Sequence, residues 1–290
     1  MILTAVILFA LQPALQSKEA DVKRRTPLVP AATAQPAGAT ATLPAAAAPP
    51  AVPQQTPPFD RAVQTTDPGS GPRPLAADAP PFTSDRPLFL VDGLAITAFE
   101  LNELVLYYRS FRPGADDVLL IDAFAALLPM KVMQANFTSN LEPMRQKISA
   151  ARAALDAGRP FAEVVKEFSD DGEAEDPEGK YTFGRERAVQ PFDRVSFSAP
   201  SGAGVTGPWL TVYGWHLIEP LSYERGATAK EDKTTMRHVL AMYPRLLEIE
   251  RGQGDVRAWI REQVAAAKIK VLEPGLANLV PPERRSQVVR

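Results

Sequence analysis

The chain has only two histidines, His216 in GWHLIEP and His238 in TMRHVLAMYP. Each lies in a short apolar stretch that reads as a strand. Imidazole is the side chain that exchanges a proton near neutral pH, so two of them on neighbouring strands can act as a pair. On period-2 alternation His238, Leu240 and Met242 share one face of their strand, and His216 and Ile218 share one face of theirs. That pattern suits core packing as well as a site. There is no cysteine, which excludes a thiol nucleophile, a disulfide and Cys-ligated metal. Two histidines also argue against a His-rich metal centre.

Two further motifs carry chemistry in other proteins. GAGVTG (202–207) satisfies G-x-G-x-x-G, but a dinucleotide fingerprint must follow a strand and open a helix. Here Pro208 and the strand-like WLTVYGW follow, so the motif reads as a turn. The acidic loop at 170–179, DDGEAEDPEG, lacks the D-x-[DN]-x-[DN]-G order of a calcium loop. No cofactor is expected.

The elements that must position these residues are legible in the hydrophobic spacing. PLFLVDG (87–93) alternates and then turns. Thr97 and Glu100 have capping-box spacing, and Ala98, Leu101, Leu104, Val105 and Tyr108 form one helical face. Arg112-Pro113-Gly114 closes that helix. A second helix is expected over about Asp116–Asn136, with Pro129 as a kink. A third starts near Asn140 as cap, with Pro143 in its first turn and Gly158 at its end. FAEVVKEFSDD gives a shorter helix facing in through Phe161, Val164, Val165 and Phe168. Short strands and one brief helix near Phe192 follow, then a polar helix at about 255–267 and a strand-like IKVL. The fold class is α+β.

Of 290 residues, 29 are proline, and roughly half of these fall between Pro27 and Pro81 among alanine, threonine and glutamine. Such a segment buries too little apolar surface to offset its ordering entropy. The organisation read from this is a secretory signal or membrane anchor at 1–24, a disordered Pro/Ala-rich linker at 25–84 and folded material beyond. MILTAVILFALQPALQ suits the apolar core of an export signal and is short for a membrane span. Export, with a possible membrane tether through the N-terminus, is the expectation. The net charge of −2 and the lack of a basic stripe argue against nucleic acid as partner.

From Leu141 to Pro220 the chain resembles the parvulin-type peptidyl-prolyl isomerases. The resemblance rests on the order and spacing of AALDAGRPFAEVVKEFSDD, EGKYTFGR, QPFDRVSFS, GAGVTGPWLT and YGWHLIEP. Residues 89–138 are similar to the helical modules that precede such domains in exported folding factors. Parvulins open with a strand bearing R-H-(aliphatic)-L, but here NFTSNLEPMRQK stands in that place. The lost motif reappears downstream as MRHVLAMYP. The expectation is a small antiparallel parvulin-like sheet at 139–244 whose first strand is permuted to 235–244, between a helical module at 85–138 and a C-terminal helix and tail at 245–290. Chain ends that lie close together tolerate such a permutation.

The resemblance implies the site. Asp171, with Asp170 as its alternative, takes the acidic position beside the substrate carbonyl. His216 and His238 form the paired imidazoles behind it. Phe192 is the proline-pocket phenylalanine, with Phe183 and Phe197 around it, and Thr211 and Tyr213 stand near the last histidine. Ala188 replaces the family's pocket methionine and Lys180 stands near its leucine, changes that widen the pocket and put efficient catalysis in question. Arg185 and Arg187 could engage an acidic residue before proline. The implied function is prolyl isomerisation on unfolded or extended proline-containing clients in the bacterial periplasm or at the inner membrane. The alternative is a non-catalytic chaperone that keeps the groove.

Overall fold

The computed structural model describes residues 84–171 and 176–289. The expected leader and nearly all of the linker, residues 1–83, lie outside the described residues. Strands β1 (Pro87–Val91) and β2 (Leu94–Thr97) form a hairpin. Its two-residue turn puts Asp92 at φ 49° and Gly93 at φ 89°, which is why an Asp-Gly pair stands there. Thr97 then caps α1 (Ala98–Arg109) with the reciprocal Glu100 bond of a capping box. Helix α2 (Asp116–Asn136) runs through Pro129 and packs on α1 and the hairpin. Phe89 of β1 and Phe124 of α2 meet with ring centroids 4.7 Å apart. Among the described residues, α2 alone is long and apolar enough to cross a membrane. Over half of it is buried in the module, as in a core helix.

Helix α3 (Leu141–Asp156) follows a 3-10 turn at Thr138–Asn140. Asn140 was expected to cap it through its side chain. Asn140 stands at the cap position but, as the last residue of the 3-10 turn, has helical backbone angles and makes no side-chain capping bond. Helix α4 (Phe161–Phe168) buries Phe161 and Val164, as the spacing implied. Next come β3 (Lys180–Gly184), α5 (Phe192–Ser198), β4 (Thr206–Leu210), β5 (Gly214–Glu224) and β6 (Lys233–Met242). GAGVTG leads into β4 and not into a helix.

These strands make an antiparallel sheet in the order β3-β6-β5-β4. The latest strand in sequence, β6, lies between β3 and β5. Helix α3 packs on β5 and β6, as does α5. Leu217 and Val239 belong to the large core shared with Ile148 of α3, whereas Ile218 and Met236 join a second apolar cluster with Phe192 of α5. The offset between the two groups is odd on each strand, one residue on β5 and three on β6, as strand alternation requires.

The segment after 244 holds more than the helix and tail read from the sequence. It contains α6 (Pro244–Arg251), α7 (Val256–Ala266), β7 (Ile269–Val271), two 3-10 segments and β8 (Val288–Val289). Strand β7 pairs with β1, and β8 with β7, so a second sheet runs β2-β1-β7-β8. The C-terminal segment therefore completes the N-terminal module, and the sheet bearing the histidines falls between the two in sequence.

Candidate active site

The register of the β5–β6 ladder sets Ile218 opposite His238 and His216 opposite Leu240. Directly opposed residues share a face, so His216 and His238 are diagonal neighbours on one face. Their Nδ1 atoms are 3.2 Å apart and their ring planes differ by 16°. Both rings are buried, at 3% and 5% exposure.

Asp171 reaches this pair from the end of α4. Ser169 and Asp170 fasten that end to β6. Asp170 N–H donates to Leu240 O, Ser169 Oγ accepts from Leu240 N–H, and Asp170 Oδ2 accepts from Met242 N–H and Lys147 Nζ. Asp170 is thereby committed to the backbone of β6, and it is Asp171 whose Oδ2 stands 2.9 Å from His238 Nε2. On the far side of the loop Gly179 returns the chain to β6. Its φ is +63°, and a Cβ there would lie 2.7 Å from His238 O, so only glycine allows this approach.

At the other end Thr211, fully buried in the β4–β5 turn, places Oγ1 2.9 Å from His216 Nε2. The same oxygen accepts from Tyr213 N–H, at 3.0 Å, so its own proton is available to His216. Its other acceptor, Gly214 O, is farther, at 3.4 Å. Burial holds the His216 pKa well below its ordinary value, with a contribution from His238, which leaves His216 neutral with one N–H. With Thr211 as the donor to His216, one set of directions satisfies every atom of the series. Thr211 donates to His216 Nε2, His216 Nδ1–H donates to His238 Nδ1, and His238 Nε2–H donates to Asp171. The chain is an ordered dipole ending on a carboxylate.

Phe192 caps this chain. Its ring meets both imidazoles edge-on, at 5.2 Å from each. Around it stand Val195, Trp209, Ile218 and Met236, with Tyr181, Phe183, Ala188 and Val189 partly buried against them. Phe183 lies 6.0 Å from Phe192. The apolar surface thought lost at Ala188 and Lys180 is thus supplied in part by neighbours. Lys180 is exposed and paired with Glu178, but Tyr181 turns inward. Met236 rises from β6 on the histidine face. Alternation in KYTFG and in MRH would have located Tyr181 and Met236; Trp209 carried no such signal.

Other expected site residues lie elsewhere. Phe197 is 1% exposed and packs beneath Phe183 in the main core. The ring of Tyr213 packs against that same core, and its carbonyl accepts from Tyr243 N–H. Arg185, expected as a solvated arginine able to meet an acidic client residue, is buried. It pairs with Asp232, bonds Tyr223 and lies 4.5 Å over the Phe197 ring and 4.9 Å over that of Phe111. A guanidinium so enclosed has no group to spare for a client. Arg187 is exposed.

Comparison with known proteins bears on the fold that carries this site. Residues 129–221 match the family model of the rotamase, PPIC-type PPIase domain. The chain is similar to the protein named chaperone SurA of Yersinia pestis bv. Antiqua (strain Antiqua), with 28% identity over 133 residues, 46% of this chain and 29% of the relative. It is equally similar to chaperone SurA of Escherichia coli O157:H7, at 28% over 132 residues, 45% of this chain and 29% of the relative. The chain spans under a third of the length of these relatives. No solved structure matches it. The fold of the matched region is of the parvulin type. The family match takes in His216 and most of β5 and stops before β6 with His238.

Proposed function

We propose that this chain, which carries a domain of parvulin-type fold, catalyses cis-trans isomerisation of Xaa-Pro bonds in extended client polypeptides. The observation that carries the proposal is the hydrogen-bonded series Thr211, His216, His238, Asp171 beside the apolar cluster around Phe192.

Rotation about a peptide bond faces a barrier of roughly 18–20 kcal/mol, and Xaa-Pro isomers exchange over tens of seconds or more. No bond breaks, so the reaction needs neither nucleophile nor metal. It needs a site that favours the twisted amide over both planar forms. An apolar wall at Phe192 would seat the proline ring. Twisting removes amide resonance, which makes the carbonyl more ketone-like and the nitrogen more basic. Asp171, oriented by the two histidines, would stand at that carbonyl, and fixed dipoles in a dry setting act there without reorganising. In this reading β6 fills the place of the family's first strand and returns the second histidine to the site.

The client role follows the name of the relatives, and the compartment we propose is the bacterial periplasm, either free or tethered to the inner membrane through the N-terminus. A second reading, a chaperone without catalysis, is favoured by Ala188 and by the near-complete burial of Phe192, 7% exposed. One comparison separates them. The full chain and a His216→Ala, His238→Ala variant are assayed for Xaa-Pro isomerisation and for suppression of client aggregation. Catalysis predicts acceleration that falls more than about tenfold in the variant, about 1.4 kcal/mol of barrier. Suppression of aggregation without acceleration by the parent would leave the chaperone.

A further inference from the structure

Asp171 Oδ2 accepts a second hydrogen bond, from the hydroxyl of Tyr181 at 2.9 Å. Tyr181 lies on β3, opposite Met236 of β6, and its ring stands edge-on to His238 with centroids 5.3 Å apart. The same ring packs against the Phe192 cluster. One side chain therefore touches the carboxylate, the imidazole and the apolar wall together. The hydrogen-bonded series does not end on a loosely held acid. It ends on a carboxylate oxygen fixed from two directions, by His238 Nε2–H and by a phenol.

We infer that Tyr181 is a positioning residue of this site, orienting the Asp171 carboxylate while its ring walls the pocket. The inference rests on the reading of the site given above. A hydrogen bond donated to a carboxylate favours the charged form, and bonds to charged groups are the stronger class. Rigid placement matters because the reaction proceeds by favouring one geometry of the amide. A carboxylate free to rotate about its χ2 would spread its charge over several directions and lose that preference. The neighbouring Lys180 cannot do this, since it faces solvent and pairs with Glu178.

The test uses the full chain with Tyr181→Phe and Tyr181→Leu. Phenylalanine keeps the ring and removes only the hydroxyl. Both variants are compared with the parent in Xaa-Pro isomerisation as a function of pH, and in the titration of the Asp171 side-chain carboxyl carbon by NMR, assigned with Asp171→Asn. The expected result for Tyr181→Phe is a fall of about tenfold in kcat with little change in KM, the scale of one hydrogen bond to a charged acceptor. The acid limb of the rate profile and the Asp171 titration midpoint should both move to higher pH. Tyr181→Leu should show the same two movements and a raised KM besides, because the wall is lost. Unchanged kcat and an unmoved Asp171 midpoint in Tyr181→Phe would overturn the inference. The carboxyl titration reads the hydrogen bond whether or not the chain isomerises. A moved midpoint with no activity in the parent would therefore sustain the positioning role and sink the catalytic reading instead.

Discussion

Asp193 follows the pocket residue Phe192 and is wholly buried, with its Oδ2 accepting the Tyr107 hydroxyl and Oδ1 accepting Ala188 N–H. Burial raises its pKa from the usual 3.8 to about 6, against the lowering effect of the Tyr107 bond. The sign of its effect on stability follows. A carboxyl whose folded pKa lies above its unfolded one stabilises fully below the unfolded value and loses that contribution as pH rises through the folded value. Relative to Asp193→Asn, which retains an acceptor for Tyr107, the parent should lose stability between about pH 4 and pH 6. It should run parallel to the variant above that. The scale is up to about 3 kcal/mol, from the size of the shift. Urea unfolding of both proteins across that range checks it, and parallel curves throughout would mean that Asp193 titrates normally. His216 pulls the other way, since a histidine buried neutral loses stability as pH falls below its unfolded value near 6.5. The paired comparison at position 193 cancels that term.

At the scale of elements, the sheet that holds β1 is finished from the far end of the chain. Strand β7 adds its ladder to β1, and Ile269, wholly buried, joins the core of the module. Ending the chain after Ala267 removes β7 and β8 and bares the edge of β1. Loss of buried Ile269, Leu279 and Val280 and of the β1–β7 ladder should lower the unfolding free energy by several kcal/mol, on the order of 2–5 for the isoleucine alone. A truncated chain that unfolds at the same urea concentration as the parent would show that β7 adds nothing. This pairing was not legible in the sequence. IKVL reads as a strand, but three residues carry no information about their partner. The helices of the module and the α+β class were legible, because helical spacing in FELNELVLYY and a capping box are local signals. Helix α6 was not read out, although Tyr243-Pro244 is a good helix start, with proline in the first turn. The pairing of the two histidines was inferable from motif context. That Asp171 and not Asp170 meets them depended on Ser169 and Asp170 bonding the end of β6, a long-range contact that spacing cannot express. Strand alternation alone points Tyr181 inward, whereas the parvulin resemblance marks its neighbour Lys180.

At the scale of the whole described molecule, the helical module and the histidine-bearing sheet are joined at the pocket helix itself. Tyr107 and Glu103 of α1 bond Asp193 and Arg194 of α5, and Arg185 lies over Tyr107 and Phe111. Phe192 begins that helix, so the module supports the apolar cluster around Phe192, the proposed proline wall, as well as packing its own core. The second histidine arrives equally late, on a strand beyond the segment that matches the rotamase family model. The central claim is that this late strand completes a working isomerase site. The most direct test is the exchange rate between cis and trans forms of a short Xaa-Pro peptide at equilibrium, measured with catalytic amounts of the full chain and of His238→Ala. The account predicts acceleration by the parent that drops at least about tenfold in the variant, with His216 and its strand left in place. Equal acceleration by both proteins would contradict it, and would place any catalysis in the matched segment without β6.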